Sequence, residues 1–233
     1  MGFRAGDRYL IIPPFFHTFS YKAGWMAWIV HGVTALPQAV FDVPEVMKTI
    51  EAERVSILCG PPKLFIDLLD HPRRDHYNLS SKRITMASAT HVAPALVLRM
   101  REELDVEVTH SGYGLTEATS VVTSTIPGVD SFEDITTTVG RAALDVELRV
   151  VDDAGADVVA GRPGELLVRG YNVTQGYFEE PDQTAATITA EGWLRTGDVV
   201  TMDHRGFVRI VDRKKDVIIV GDSTSIRLKW NAF

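Results

Sequence analysis

The sequence predicts an α/β fold: a mainly parallel sheet with helices, followed by a β-rich subdomain from about Gly140 to Val211. Short β-branched runs alternate with amphipathic segments through the first half. Beyond Gly140 the apolar residues alternate singly with polar ones, and turn clusters such as Asp152-Asp153-Ala154-Gly155 separate the runs. The 233 residues, 45% hydrophobic and 24% charged, suffice for one large core or two small ones.

Each element has a local cause. Tyr9-Leu10-Ile11-Ile12 reads as a strand ended by Pro13-Pro14, and Gly32 to Leu36 as a second strand. Val43 to Arg54 is a helix, because Val43, Val46, Met47 and Ile50 recur at helical spacing and Pro44 falls in the first turn, where a missing N–H is harmless. Val55 to Leu58 is a strand, and a helix from Lys63 to Leu69 follows Pro61-Pro62. Arg83 to Ala87, Pro94 to Leu104 and Val106 to Thr109 continue as strand, helix and strand. Tyr9 to Ile12 is expected to form an open sheet edge beside uncovered apolar faces, giving a marginally stable chain. In the second half Glu147 to Val151 and Gly164 to Gly170 are strands, and Thr184 to Ile188 a short helix. Val199 to Asp203 and Phe207 to Val211 form a hairpin around His204-Arg205-Gly206. Asp222 to Phe233 fits no element.

Composition removes several function classes. No window approaches the roughly 18 apolar residues of a membrane span. Met1 to Asp7 carries no apolar signal core, so the expected location is cytoplasmic. Cys59 is the single cysteine and sits in an apolar run, which excludes an internal disulfide and makes it core filling. A net charge of -7 without a basic stretch argues against nucleic acid and for a small-molecule partner.

Four constellations carry possible chemistry. Ser111-Gly112-Tyr113-Gly114-Leu115-Thr116-Glu117 follows a strand. Gly112 and Gly114 allow close backbone approach to a flat ligand on which Tyr113 could stack, while Thr116 and Glu117 suit phosphate and Mg²⁺. The bland alternative is a glycine-rich loop capped by Thr116. Thr196-Gly197-Asp198 places a carboxylate after a turn, fit to accept both hydroxyls of a ribose or merely to close that turn. Asp212-Arg213-Lys214-Lys215-Asp216 is a charged run between apolar ones, and such a run is commonly a solvated connection. His17, among aromatics in Pro14-Phe15-Phe16-His17-Thr18-Phe19, is more often a satisfied core residue than a catalyst. No Gly-x-Gly-x-x-Gly follows a strand, which disfavours a dinucleotide-dependent dehydrogenase.

Together with Gly164 to Gly170 and Gly176-Tyr177-Phe178, these motifs in this order resemble the AMP-forming adenylating superfamily, and within it an acyl-CoA synthetase. Pro13 to Phe19 and Tyr113 to Thr119 look most like ligases activating the indanedione propionate left by steroid ring degradation. The resemblance covers about Arg4 to Gly221. It implies a partial adenylate-forming N-terminal domain that joins a small-molecule carboxylic acid to ATP's α-phosphate, releases pyrophosphate and passes the acyl group to CoA. Thr116 would contact phosphate and Glu117 hold Mg²⁺. Tyr113, between Gly112 and Gly114, would stack on adenine, with Ser88 and Ala89 along the base's edge. Asp198 and Arg213 would bind the ribose of ATP or AMP, and His17 would gate the acyl pocket. Lys215 would be the hinge of a C-terminal domain.

The same resemblance implies three parts: 1–139, the α/β portion; 140–213, the β-rich subdomain; and 214–233, a hinge and tail. The family's Ser/Thr-Gly-rich phosphate loop and C-terminal lysine have no counterpart among these residues, so the chain as given is expected to lack turnover. Residues 222–233 can be encoded by bases that, with one G restored ahead of them, read Gly-Phe-Asn-Val-Tyr-Pro-Ala-Glu-Val-Glu-Arg-Val, the continuation typical of the family. A frameshifted tail is the expectation. Two readings therefore stand: a piece of an acid–CoA ligase, or a non-catalytic adenylate- or acyl-binding remnant.

Overall fold

A computed structural model describes residues 2–18, 20–87, 92–104, 106, 108–213, 218–220 and 223–225. The first half contains β1 (Arg8–Ile11), α1 (Ala27–His31), β2 (Thr34–Pro37), α2 (Val43–Glu53), β3 (Ile57–Gly60), α3 (Pro62–Leu69), β4 (Ile84–Ala87), α4 (Pro94–Glu103) and β5 (Val108–His110). Next come β6 (Gly112–Tyr113), β7 (Thr123–Ser124), α5 (Phe132–Thr137), β8 (Arg141–Ala142), β9 (Val146–Val151) and β10 (Gly164–Gly170). The remainder is α6 (Pro181–Thr187), β11 (Leu194–Met202), β12 (Val208–Arg213), β13 (Ile218–Val220) and β14 (Ser223–Ser225).

The first five strands form a parallel sheet in the order β2-β1-β3-β4-β5. This corrects the expectation of an open edge at Tyr9 to Ile12. After α1 the chain returns beside β1, pairing Arg8 with Thr34 and Ile11 with Pro37, so β1 is interior and β2 takes the edge. Pro37, which has no N–H to offer a further strand, suits that position. Gly32 also departs from the expected strand: at φ +64° it ends α1 in the left-handed region.

Helix α2 starts where the Asp42 carboxylate accepts the Glu45 N–H at 3.0 Å and stops where Arg54 turns left-handed. Its Val46, Met47 and Ile50 are buried against Leu10 and Leu58 of the sheet, together with Leu64, Phe65 and Leu68 of α3 and Leu96 and Met100 of α4. The opposite face buries Tyr9, Ile11, Ile57, Cys59 and Ile84. Burial pushes the Cys59 thiol up to about 12, so it stays protonated and fills the core as expected.

Antiparallel pairing begins at Gly112, in the small sheet β6-β7-β8, and continues in the larger sheet β12-β11-β10-β9. Both share one core, from Ala118 and Val122 to Val146, Leu166, Leu194 and Val208. Helix α6 starts three residues earlier than expected because Pro181 sits in its first turn. Helix α5 went unanticipated, although Ser131 caps it by accepting the Asp134 N–H at 3.1 Å. Ser223–Ser225 pairs with β13, contrary to the elementless reading of that stretch. No helix among the described residues is long and apolar enough to cross a membrane.

One electrostatic knot ties α4 to the α3 exit. Glu103 accepts Arg99 Nε at 2.7 Å and Arg74 Nη1 at 2.6 Å, and these hydrogen bonds hold its carboxyl at about 2. A depressed carboxyl adds stability above its unfolded value near 4.5, lost as pH falls toward 2. Thermal midpoints should fall through that window, and Glu103→Gln should flatten the slope by no more than about 2–4 °C, since the pair is solvent-screened.

Candidate functional site

Parallel pairing sends the loops after β1, β3 and β5 out of one edge of the sheet, the edge at which open α/β sheets commonly take ligands. The loop after β5 leads through β6 into a tight turn. There the Ser120 N–H reaches the Leu115 carbonyl at 3.0 Å and the Val122 N–H reaches that of Tyr113 at 2.9 Å. A Cβ on Gly114 would lie 1.8 Å from the Ser120 carbonyl oxygen. The close approach that Gly114 permits is thus that of its own loop, whereas a Gly112 Cβ would only crowd Met86 Cε at 3.0 Å and the Thr123 carbonyl oxygen at 3.1 Å.

Thr119 and Ser120 follow with φ of +51° and +70°. A β-branched residue in the left-handed region is strained, and such strain persists only where neighbours hold it. Here the Thr119 hydroxyl donates to the Asn172 carbonyl at 2.6 Å, and Asn172 Nδ2 donates back to the Val121 carbonyl at 2.7 Å. Thr116 opens the short turn of Thr116–Ala118 rather than capping it, and is exposed.

Asp198 arrives from the other sheet. Glu165 pairs with Val199 and Leu167 with Arg195, so Thr196-Gly197-Asp198 bulges opposite Leu166 alone. Gly197 supplies the bulge with φ +70°, and the Thr196 hydroxyl donates to the Leu166 carbonyl while accepting the Asp198 N–H. The bulge re-aims a nearly buried carboxylate onto the first loop. Tyr113 OH donates to Asp198 Oδ2 at 2.5 Å, joining residues 85 positions apart.

Glu117, half-buried, is held by residues that sequence reading left without a role. Tyr177 OH donates to its Oε1 at 2.9 Å, and the Thr174 N–H donates to its carbonyl at 2.7 Å. Burial, and next the Glu117 carboxylate, push the Tyr177 phenol above its ordinary value. The available signal was Gly176: at φ +147°, its Cβ would meet Thr184 Cγ2 at 2.7 Å, so only glycine brings the chain to Tyr177 there.

His17 is exposed in the turn after β1, its N–H on the Pro14 carbonyl at 2.9 Å, and so is not the satisfied core histidine of the bland alternative. Pro13-Pro14 carries it off the sheet onto the shared edge. Arg213 lies across from Asp198 in the β11–β12 register. Its side chain, Ser88, Ala89 and Lys215 lie outside the described residues. No cluster of three or more His, Cys, Asp or Glu side chains suited to a metal occurs among the described residues. Glu117 offers a carboxylate with one oxygen engaged by Tyr177. A single carboxylate of this kind fits a Mg²⁺ that takes most of its oxygen ligands from elsewhere, not a caged ion.

Residues 1–178 match the family model described as AMP-binding enzyme. The chain is similar to a methyl-dioxo-octahydroindenyl-propanoyl:CoA ligase of Rhodococcus jostii, at 47% identity over 215 residues, and to the enzyme of that name from Mycobacterium tuberculosis, at 44%. Each alignment takes in 92% of this chain but only 39% and 40% of the relatives, so the chain spans about two fifths of their length. Among solved structures, the anthranilate CoA ligase AuaEII in complex with anthranoyl-AMP superposes with a TM-score of 0.86 at 26% identity, over 96% of this chain and 42% of that one. The O-succinylbenzoate coenzyme A synthetase of Bacillus subtilis, in complex with ATP and magnesium ion, superposes with 0.82 at 26%, over 96% and 45%.

Proposed function

Because the chain belongs to the AMP-binding enzyme family, we propose that it forms the adenylate-holding part of an ATP-dependent acyl-CoA ligase. The observation that carries this reading is the meeting of Tyr113 with Asp198. A bulge in one sheet and a glycine turn in another bring an aromatic ring and a nearly buried carboxylate together, beside a loop that also bears Thr116 and Glu117.

In this reading the Tyr113 ring packs on the adenine, and its hydroxyl orients the Asp198 carboxylate to accept the ribose hydroxyls. Arg213, opposite Asp198, adds positive charge at the ribose and phosphate. Thr116 hydrogen-bonds the α-phosphate. Glu117 would hold a nucleotide-borne Mg²⁺, whose chemistry there would be to offset phosphate charge. His17, on the same sheet edge, faces the acid, and CoA is the acyl acceptor, as the relatives' names imply. Identities of 47% and 44% to ligases of a bicyclic dione propionate, against 36% to a putative acyl-CoA synthetase of Bacillus subtilis, favour a propionate on a fused alicyclic ring as the acid.

Calorimetric titration of the purified chain tests this. AMP should bind at a single site, and a sulfamoyl-adenosine analogue carrying a bicyclic propionyl group should bind more tightly than its acetyl counterpart. Absence of AMP binding by folded protein overturns the reading, and equal affinity for the two analogues overturns the choice of acid.

A further inference from the structure

We propose that the segment joining β10 to α6 is a positioning device for Glu117, in which Tyr177, braced by α6, holds one carboxylate oxygen and leaves the other for a nucleotide-bound Mg²⁺. This rests on the reading of Glu117 as the Mg²⁺ ligand.

The geometry begins with α6, which buries no side chain of its own. The core anchors it only at its end, where Ile188 packs and bridges to Leu194. Along its seven residues only Thr184 and Thr187 are partly sheltered, one turn apart on one face, and Thr184 bonds Tyr177. The Thr184 hydroxyl accepts the Tyr177 N–H at 2.9 Å. The phenol in turn donates to Glu117 Oε1 at 2.9 Å. Tyr177 is thus held at its backbone by Thr184 of α6 and at its tip by Glu117.

The same segment grips the backbone around Glu117. Thr174 N–H meets the Glu117 carbonyl, Asn172 Nδ2 reaches the carbonyls of Ala118 and Val121, and Thr119 hydroxyl reaches the Asn172 carbonyl. A glutamate free to rotate about three side-chain bonds loses that freedom when it captures an ion. One whose first oxygen is already tethered loses less, and its remaining oxygen keeps one direction. Partners of this kind, bonded to a ligand rather than to the ion, typically alter metal affinity 10–100-fold when removed.

The test measures ATP affinity of the full chain with and without Mg²⁺ and takes the ratio of the two dissociation constants. Tyr177→Phe keeps the ring and removes the hydroxyl, and should cut the Mg²⁺ enhancement about tenfold while Mg²⁺-free AMP affinity stays within about twofold. Thr184→Val, which removes the acceptor of the Tyr177 N–H, should lower the enhancement in the same direction by a smaller factor, and decides the matter should Tyr177→Phe not fold. A merely structural role for Tyr177 would weaken AMP and ATP alike and leave the ratio unmoved, which overturns the proposal. A ratio that rises in Tyr177→Phe overturns it too, since the phenol would then be competing with the ion. Glu117→Gln separates the two layers. Enhancement lost in Glu117→Gln but intact in Tyr177→Phe removes only the positioning role. A ratio indifferent to Glu117→Gln removes the ligand reading and this proposal with it.

Discussion

Gly114→Ala is expected to lower the thermal midpoint by about 6–12 °C and to abolish AMP binding. The added methyl would lie 1.8 Å from the Ser120 carbonyl oxygen, 2.2 Å from its carbon and 2.8 Å from the Val121 nitrogen. All three are backbone atoms, so no side-chain rotation relieves the clash. Relief requires the 115–121 turn to open, breaking the Ser120 to Leu115 and Val122 to Tyr113 hydrogen bonds and releasing the left-handed residues that Asn172 restrains. A cost of about 3 kcal/mol or more follows, a large part of the roughly 5–15 kcal/mol that holds a typical domain. Gly155→Ala is the control. Gly155 has φ +81° but nothing within 4 Å of its Cβ direction, so the substitution bears only the left-handed penalty of about 1 kcal/mol. Equal midpoints for the two variants would show that the steric account is mistaken.

Asp198→Ala should weaken AMP about 100-fold or more without a comparable loss of stability. A hydrogen bond to a charged acceptor contributes roughly 1.5–3 kcal/mol, and the ribose offers two hydroxyls. The variant also removes the Asp198 acceptor of the Tyr113 hydroxyl, while the ring stays seated in its β6 turn. Titration with 2′,3′-dideoxy-AMP isolates the ribose contribution. The wild-type chain should bind the dideoxy compound about as weakly as the variant binds AMP, and the variant should barely distinguish the two ligands. An Asp198→Ala chain that retains wild-type AMP affinity would refute the ribose assignment. Asp198→Asn, which keeps the shape and one acceptor oxygen, should fall between the two.

Much of this molecule is written locally. The helix over Val43 to Glu53 follows from apolar spacing and a proline in the first turn, and both signals act within one or two turns of chain. β10, Gly164–Gly170, and the hairpin strands around His204-Arg205-Gly206 follow from alternation and turn residues in the same way. Gly112, Tyr113, Glu117 and Asp198 stand out as candidates because each sits in a compact string of unusual residues.

Partnership was another matter. Nothing near Tyr9 says that β2 will flank it, because parallel neighbours are chosen by what the intervening helices can cover. Likewise the boundary near Gly140 reflects local alternation, whereas antiparallel pairing already starts at Gly112 through strands of only two residues, too short for any period to show. Tyr177 reads as one aromatic among several until α6 and the Glu117 turn are folded onto it. Asp198 reads as the end of a Thr-Gly turn until the bulge opposite Leu166 swings it onto Tyr113. The physical reason is the same each time. Spacing, caps and turn chemistry are energies between residues a few positions apart, which a sequence displays directly. The hydrogen bonds that build the site join residues 60 and 85 positions apart, and they exist only after register, bulge and crossover have brought those residues together.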